Sequence, residues 1–135
     1  MTGRILLVET DVVLGAVLSE VLRHRGYEVL IVKTLVKGEI DEIISMSTVI
    51  LDIDTTSAEK ELAWLDTFQL HEGSLPIILM GLQVPQELRD RRRFHLGLQQ
   101  TSVLPLVRKP FRNEELLVAV LQAQESNLLA QANRI

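Results

Sequence analysis

The sequence contains no cysteine, which excludes a disulfide framework and any zinc site built on thiolates. That absence fits a reducing compartment, and the cytoplasm is the expected location. There is no apolar run long enough to cross a membrane as a helix. The start, Met1-Thr2-Gly3-Arg4, leads straight into a short apolar stretch without a small-residue cleavage site, so neither export nor membrane insertion is expected. Positive charge is not in excess: 14 Lys and Arg against 18 Asp and Glu leave a net charge of −4. Nothing therefore draws the chain generally to nucleic acid or anionic lipid. Internal repeats and low-complexity tracts are absent. The three histidines, His24, His71 and His95, have no paired ligand spacing, which argues against a zinc or nucleophile–base role.

What is present is 135 residues with 47% hydrophobic content, a single domain able to bury roughly two-thirds of its unfolded surface. Ile5-Leu6-Leu7-Val8, Val49-Ile50-Leu51 and Ile77-Ile78-Leu79-Met80 are unbroken apolar runs. The first ends in Glu9-Thr10-Asp11, and the second runs through Asp52-Ile53-Asp54 into Thr55-Thr56-Ser57. Short apolar runs that end abruptly read as strands buried on both faces of a parallel sheet. Two further strands are predicted at 28–32 and 103–107, the latter at an edge because Pro105 interrupts it.

Helical spacing separates these runs. Val13, Leu14, Val17, Leu18, Val21 and Leu22 define a first helix closed by Arg23-His24-Arg25 and a left-handed Gly26. A short second helix is predicted over 35–44, weakened by Gly38. The third, over 58–69, turns Leu62, Leu65 and Phe68 inward and leaves Glu59, Lys60, Glu61 and Asp66 to solvent. Pro85 opens a fourth over 86–98. Asn113 caps a fifth through Leu116, Leu117, Val120 and Leu121, and residues 123–135 extend it beyond a domain spanning 1–122.

Five strands alternating with five helices specify a doubly wound α/β sandwich, a parallel sheet covered on both faces. The common order for five strands, 2-1-3-4-5, sets the ends of strands one and three side by side. Glu9, Thr10, Asp11, Asp52 and Asp54 then converge on one cleft. Asp52 alone reads either as a site acid or as a helix N-cap. Clustered acids raise one another's pKa unless a cation intervenes, and hard oxygen ligands of this kind suit Mg²⁺. Lys109, entering from strand five, adds a fixed positive charge. Acid, metal and lysine together suit an aspartate that accepts a phosphoryl group.

On these residues the chain resembles the receiver domain of two-component response regulators, the CheY-like, flavodoxin-like sandwich. The resemblance rests on Ile5 to Val8 followed by an acid, Gly26-Tyr27-Glu28-Val29, Ile50-Leu51-Asp52, Pro76-Ile77-Ile78, and Lys109-Pro110-Phe111 ahead of Glu114-Glu115-Leu116. It implies Asp52 as phosphoacceptor, Glu9 as a metal-binding acid, the backbone carbonyl of Asp54 as a further metal ligand, and Lys109 as the lysine that contacts phosphoryl across a cis bond to Pro110. Departures accompany it. Thr10 stands where receivers carry a second acid, with Asp11 one residue late as a substitute. Thr55-Thr56-Ser57 replaces the Met-Pro-Gly type of turn. Gly81 and Leu82 replace the hydroxyl residue at the end of strand four, and Leu106 replaces the aromatic switch residue.

The resemblance so altered implies a degenerate receiver, not an enzyme beyond self-catalysed phosphoryl transfer, with Mg²⁺ bound weakly or not at all. A fully competent phosphoacceptor and a flavodoxin-like cofactor domain are the alternatives. The latter needs a phosphate-cradling loop after strand one, where Glu9 and Asp11 would repel phosphate. The implied partners are a histidine kinase or phosphotransfer protein and a downstream protein or output domain. The partner, or a second copy in a homodimer, would dock on the face of helix four, strand five and helix five. Arg89, Arg91, Arg92 and Arg93 on helix four read as a solvated face or as part of that surface.

Overall fold

The computed structural model describes residues 3–35, 47–57, 59–61, 63–64, 76–82 and 106–132. In chain order these form β1 (Arg4–Val8), α1 (Val12–Arg23), β2 (Glu28–Val32), β3 (Ser47–Asp52), β4 (Ile77–Gly81), β5 (Leu106–Arg108) and α2 (Asn113–Ala132). All strand pairs are parallel, in the order β2-β1-β3-β4-β5, as the alternation of runs and helices predicts. The register sets Val8 beside Leu51, Asp52 beside Met80 and Gly81 beside Arg108. Glu9, Asp52, Gly81 and Lys109 therefore lie along one carboxyl-terminal edge of the sheet. Backbone bonds carry the ladder just past the strands: Glu9 N–H to Val32 O, Ile53 N–H to Met80 O and Lys109 N–H to Gly81 O, each at 2.9 Å.

The inner strands are apolar on both faces because both faces are covered. Ile5 to Val8, Val49 to Leu51 and all five residues of β4 are buried, whereas the edge strand β2 is not. Ile5, Leu7, Ile50, Ile78 and Met80 meet Leu18 and Leu22 of α1 and Leu116 and Val120 of α2 in one core. Each such side chain contributes about 1.5–3 kcal/mol by leaving water.

α1 begins where Asp11 Oδ1 accepts from the N–H groups of Val13 and Leu14, at 3.0 and 3.1 Å, satisfying two of the orphan donors of its first turn. The turn that follows it carries Gly26 at φ 90, the left-handed conformation that glycine adopts without penalty. The buried face is Gly15, Leu18, Ser19 and Leu22, so Val13 and Val17, placed on the apolar stripe by spacing, face solvent instead. Gly15 seats this face on the sheet: a methyl there would lie in ordinary contact, 3.5 Å from Glu9 Cγ and 3.6 Å from Ile31 Cγ2.

Two other expectations shift. Residues 59–61 and 63–64 are helical as predicted, but Glu61 is buried, accepting from Thr34 Oγ1 at 2.6 Å and from Leu35 N–H at 2.7 Å. α2 starts at Asn113 itself. Its N-cap is Arg112, whose carbonyl accepts from Glu115 N–H and whose own N–H donates to Glu115 Oε1 at 3.4 Å, one half of a capping box. Of the predicted fifth strand, Leu106–Arg108 form β5, and 103–105 lie outside the described residues, as do most of the predicted second helix, the whole fourth helix with its arginines, and the rest of the third. α2 runs unbroken past residue 122 to Ala132. Among the described residues no helix is long and apolar enough to cross a membrane.

Candidate functional site

Asp52 closes β3 and is fully buried. Its Oδ1 accepts from Asp54 N–H at 2.9 Å, and its Oδ2 accepts from Lys109 Nζ at 2.6 Å. Lys109 follows β5, joined to Pro110 by a cis bond, with a side chain only 16% exposed. Nζ also lies 3.3 Å from Asp54 Oδ2. Glu9, one residue past β1 and 2% exposed, accepts at Oε1 from Asp11 N–H at 3.0 Å and from Thr55 Oγ1 at 2.7 Å. Its Oε2 is buried with no donor of its own, and the Glu9 and Asp52 side chains interact.

The electrostatics follow from this arrangement. Burial, then the hydrogen bond to Asp52, pushes the Glu9 carboxyl up to about 7. Burial works against the charge of Asp52 as well, but the hydrogen bonds from Glu9, Lys109 and Asp54 N–H outweigh it and hold Asp52 below the usual carboxylate range. Burial likewise opposes charge on Lys109, and Asp52 and Asp54 overcome it and raise the ammonium. Below pH about 7 an ionised Asp52 thus sits between an ammonium and a protonated Glu9, because two neighbouring carboxyls do not both ionise cheaply.

This proton has a measurable consequence. Below the ordinary Glu9 value of 4.5 both folded and unfolded chains are protonated. Between 4.5 and about 7 the unfolded chain releases a proton that the native chain keeps, so stability falls as pH rises, by at most about tenfold in the folding equilibrium per pH unit. Glu9→Gln, whose amide replaces the proton as donor to Asp52, is expected to flatten that slope and to be the more stable protein at pH 8. Thermal melts of both proteins at pH 5 and pH 8 in chelator check it, and parallel slopes would contradict it.

Of the residues singled out from sequence, Glu9, Asp52, Asp54 and Lys109 come together. Asp11, offered as a substitute metal ligand, caps α1 through Oδ1, because it stands two and three residues ahead of the N–H groups it accepts. Thr10 donates its hydroxyl to Thr55 O at 3.0 Å. Sequence reasoning missed Thr55 as the donor to Glu9, and it gave Asp54 only a backbone role, whereas the Asp54 carboxylate accepts from Leu82 N–H at 3.0 Å and pairs with Lys109. At Gly81 no hydroxyl is present, and a methyl there would lie 2.5 Å from Ile53 Cγ1, 2.9 Å from Ile53 Cδ1 and 3.1 Å from Asp54 Oδ1.

Among the described residues no three His, Cys, Asp or Glu side chains form a metal-binding group. The orphaned Glu9 Oε2, buried beside an anionic Asp52, fits a hard cation as well as it fits a proton. Two carboxylates and a carbonyl satisfy Mg²⁺, which keeps several waters.

No family model matches the sequence, and no curated protein matches it. Solved structures do. The chain is similar to NtrX from Brucella abortus, with TM-score 0.75 and 20% identity over 99% of this chain, of which it spans 29% of the length. A signal receiver domain from Vibrio parahaemolyticus superposes with TM-score 0.74 at 18% identity, covering 98% of this chain and 97% of that one. The chemotaxis response regulator CheY4 of Vibrio cholerae gives 0.68 at 16% identity, covering 91% and 99%. The chain has the CheY-like fold of response-regulator receiver domains.

Proposed function

We infer that the protein is a receiver domain of two-component signal transduction that accepts a phosphoryl group on Asp52 slowly and acts through protein contact. The observation that supports this reading most is the buried pair of Asp52 and Lys109, closed on its other side by Glu9. Phosphoryl transfer needs a nucleophile held in line and positive charge for the transferred oxygens. An Asp52 oxygen attacks phosphorus of a phosphohistidine or acyl phosphate. The P–O bond to Asp52 forms as the P–N or P–O bond to the donor breaks, and the imidazole or carboxylate leaves with the bonding pair. Lys109 stays within reach to neutralise an oxygen of the new acyl phosphate. Mg²⁺, held by Glu9, Asp52 and the Asp54 carbonyl, would supply the remaining charge neutralisation.

Slowness follows from what the site lacks: Thr10 contributes no carboxylate and Gly81 no hydroxyl. The proposed donor is a histidine kinase or phosphotransfer protein, and the output is a downstream protein or a second copy docking near β5 and α2, where Val118 and Leu121 are exposed. Incubation with Mg²⁺ and a small acyl phosphate tests the reading. Partial labelling at Asp52 over many minutes, absent from Asp52→Asn, is expected. Rapid stoichiometric labelling would establish a fully competent receiver instead, and labelling at another residue would contradict the assignment.

A further inference from the structure

A phosphoryl group on Asp52 would bring new negative oxygens to the mouth of the cleft, where they need donors. Lys109 Nζ, which lies on Asp52 Oδ2, and Leu82 N–H are both donors held by the Asp54 carboxylate, at 3.3 and 3.0 Å. Its backbone reinforces the arrangement. Asp54 N–H is tied to Asp52 Oδ1, and Thr56 Oγ1 bonds back to Asp52 O, so the turn folds the Asp54 side chain over the acceptor. Gly81 is what admits it, because any side chain there would crowd Asp54 Oδ1 and Ile53.

We propose that the Asp54 carboxylate is a built-in anion that occupies the place of the phosphoryl group and must leave Lys109 and Leu82 before Asp52 can be modified. The missing hydroxyl at Gly81 and the acid at Asp54 are then two halves of one device. The glycine clears the space, and the carboxylate fills it with the charge that a phosphoryl group would bring. Asp54 is 27% exposed, so it can swing to water when a stronger anion arrives. This proposal deepens, and rests on, the reading of Asp52 as phosphoacceptor.

The test is inorganic phosphate titrated, in chelator, into ¹⁵N-labelled wild type, Asp54→Ala and Asp54→Asn, followed at the Leu82 amide. Asp54→Ala is expected to bind phosphate at least about tenfold more tightly than wild type, the scale of one removed like charge in a partly buried site, with the Leu82 amide shifting. Asp54→Asn, which keeps the shape and loses the charge, falls between and guards against a folding artefact. Equal affinities, or a Leu82 amide that does not move in Asp54→Ala, would overturn the proposal. Labelling with Mg²⁺ and an acyl phosphate separates it from the reading beneath it. Tighter phosphate binding by Asp54→Ala with no label on Asp52 in any protein upholds the Asp54 assignment and defeats the phosphoacceptor. Equal labelling rates at Asp52 in wild type and Asp54→Ala overturn the Asp54 assignment and uphold the phosphoacceptor.

Discussion

Lys109→Met is expected to destabilise the fold by about 3 kcal/mol, the lower end of the range for breaking a buried ion pair. That corresponds to a fall in Tm on the order of 10 °C. The cost arises because Asp52 has no exposure and its Oδ2 loses the ammonium at 2.6 Å, leaving a charge in a low-dielectric site with one backbone N–H and the Glu9 proton. The sign of the pH dependence identifies the mechanism. Asp52 has a depressed pKa in the native chain, so its contribution is present above its ordinary value of 3.8 and is lost as pH falls through the native value. The gap between wild type and Lys109→Met should therefore be widest near neutrality and narrow in acid, where a protonated Asp52 needs no partner. In an Asp52→Asn background the same substitution should cost much less. A loss below about 0.5 kcal/mol at pH 7 by denaturant titration, the behaviour of an exposed pair, would contradict the geometry.

Gly81→Thr, the change that would supply the hydroxyl of the receiver pattern, is expected to destabilise by about 1–3 kcal/mol. The new Cβ would meet Ile53 Cγ1 at 2.5 Å, and Ile53 is β-branched, with its first side-chain torsion restricted and Cγ1 close to the backbone. The neighbour cannot simply swing aside. Ile53→Ala makes the room, so the double variant should be more stable than the sum of the single effects implies, by about 1 kcal/mol. Strict additivity in denaturant melts would mean that Gly81 is not packed under Ile53. The sequence pattern at this position thus reflects a filled space.

Much of this was legible in the chain. The runs Ile5 to Val8 and Ile77 to Met80 are apolar on both faces, a pattern that only a covered parallel strand requires, and order 2-1-3-4-5 follows from five such strands joined by crossovers. That order is enough to bring Glu9, Asp52 and Lys109 together. What local pattern does not carry is the partner of a polar side chain. Glu61 sits at a solvent position of its helix by spacing, yet Thr34 and Leu35 give it donors worth more than water. Asp11 and Asp54 look equivalent as acids near the cleft. One is consumed by the helix starting beside it, and the other reaches a lysine and an amide from β5 and β4, contacts fixed only by the register of the sheet. Val13 and Val17 fail for a related reason, since which side of α1 turns inward is set by its packing on the sheet, where Gly15, Leu18, Ser19 and Leu22 are buried.

All of the chemistry rests on a charged Lys109 held against a buried, ionised Asp52. The most direct measurement is an NMR pH titration of the Lys109 side chain in wild type and in Asp52→Asn. The expected result is an ammonium that titrates above 10.5 in wild type and falls back when Asp52 is neutralised. A Lys109 that titrates identically in the two proteins would contradict the pairing, and with it the phosphoacceptor site.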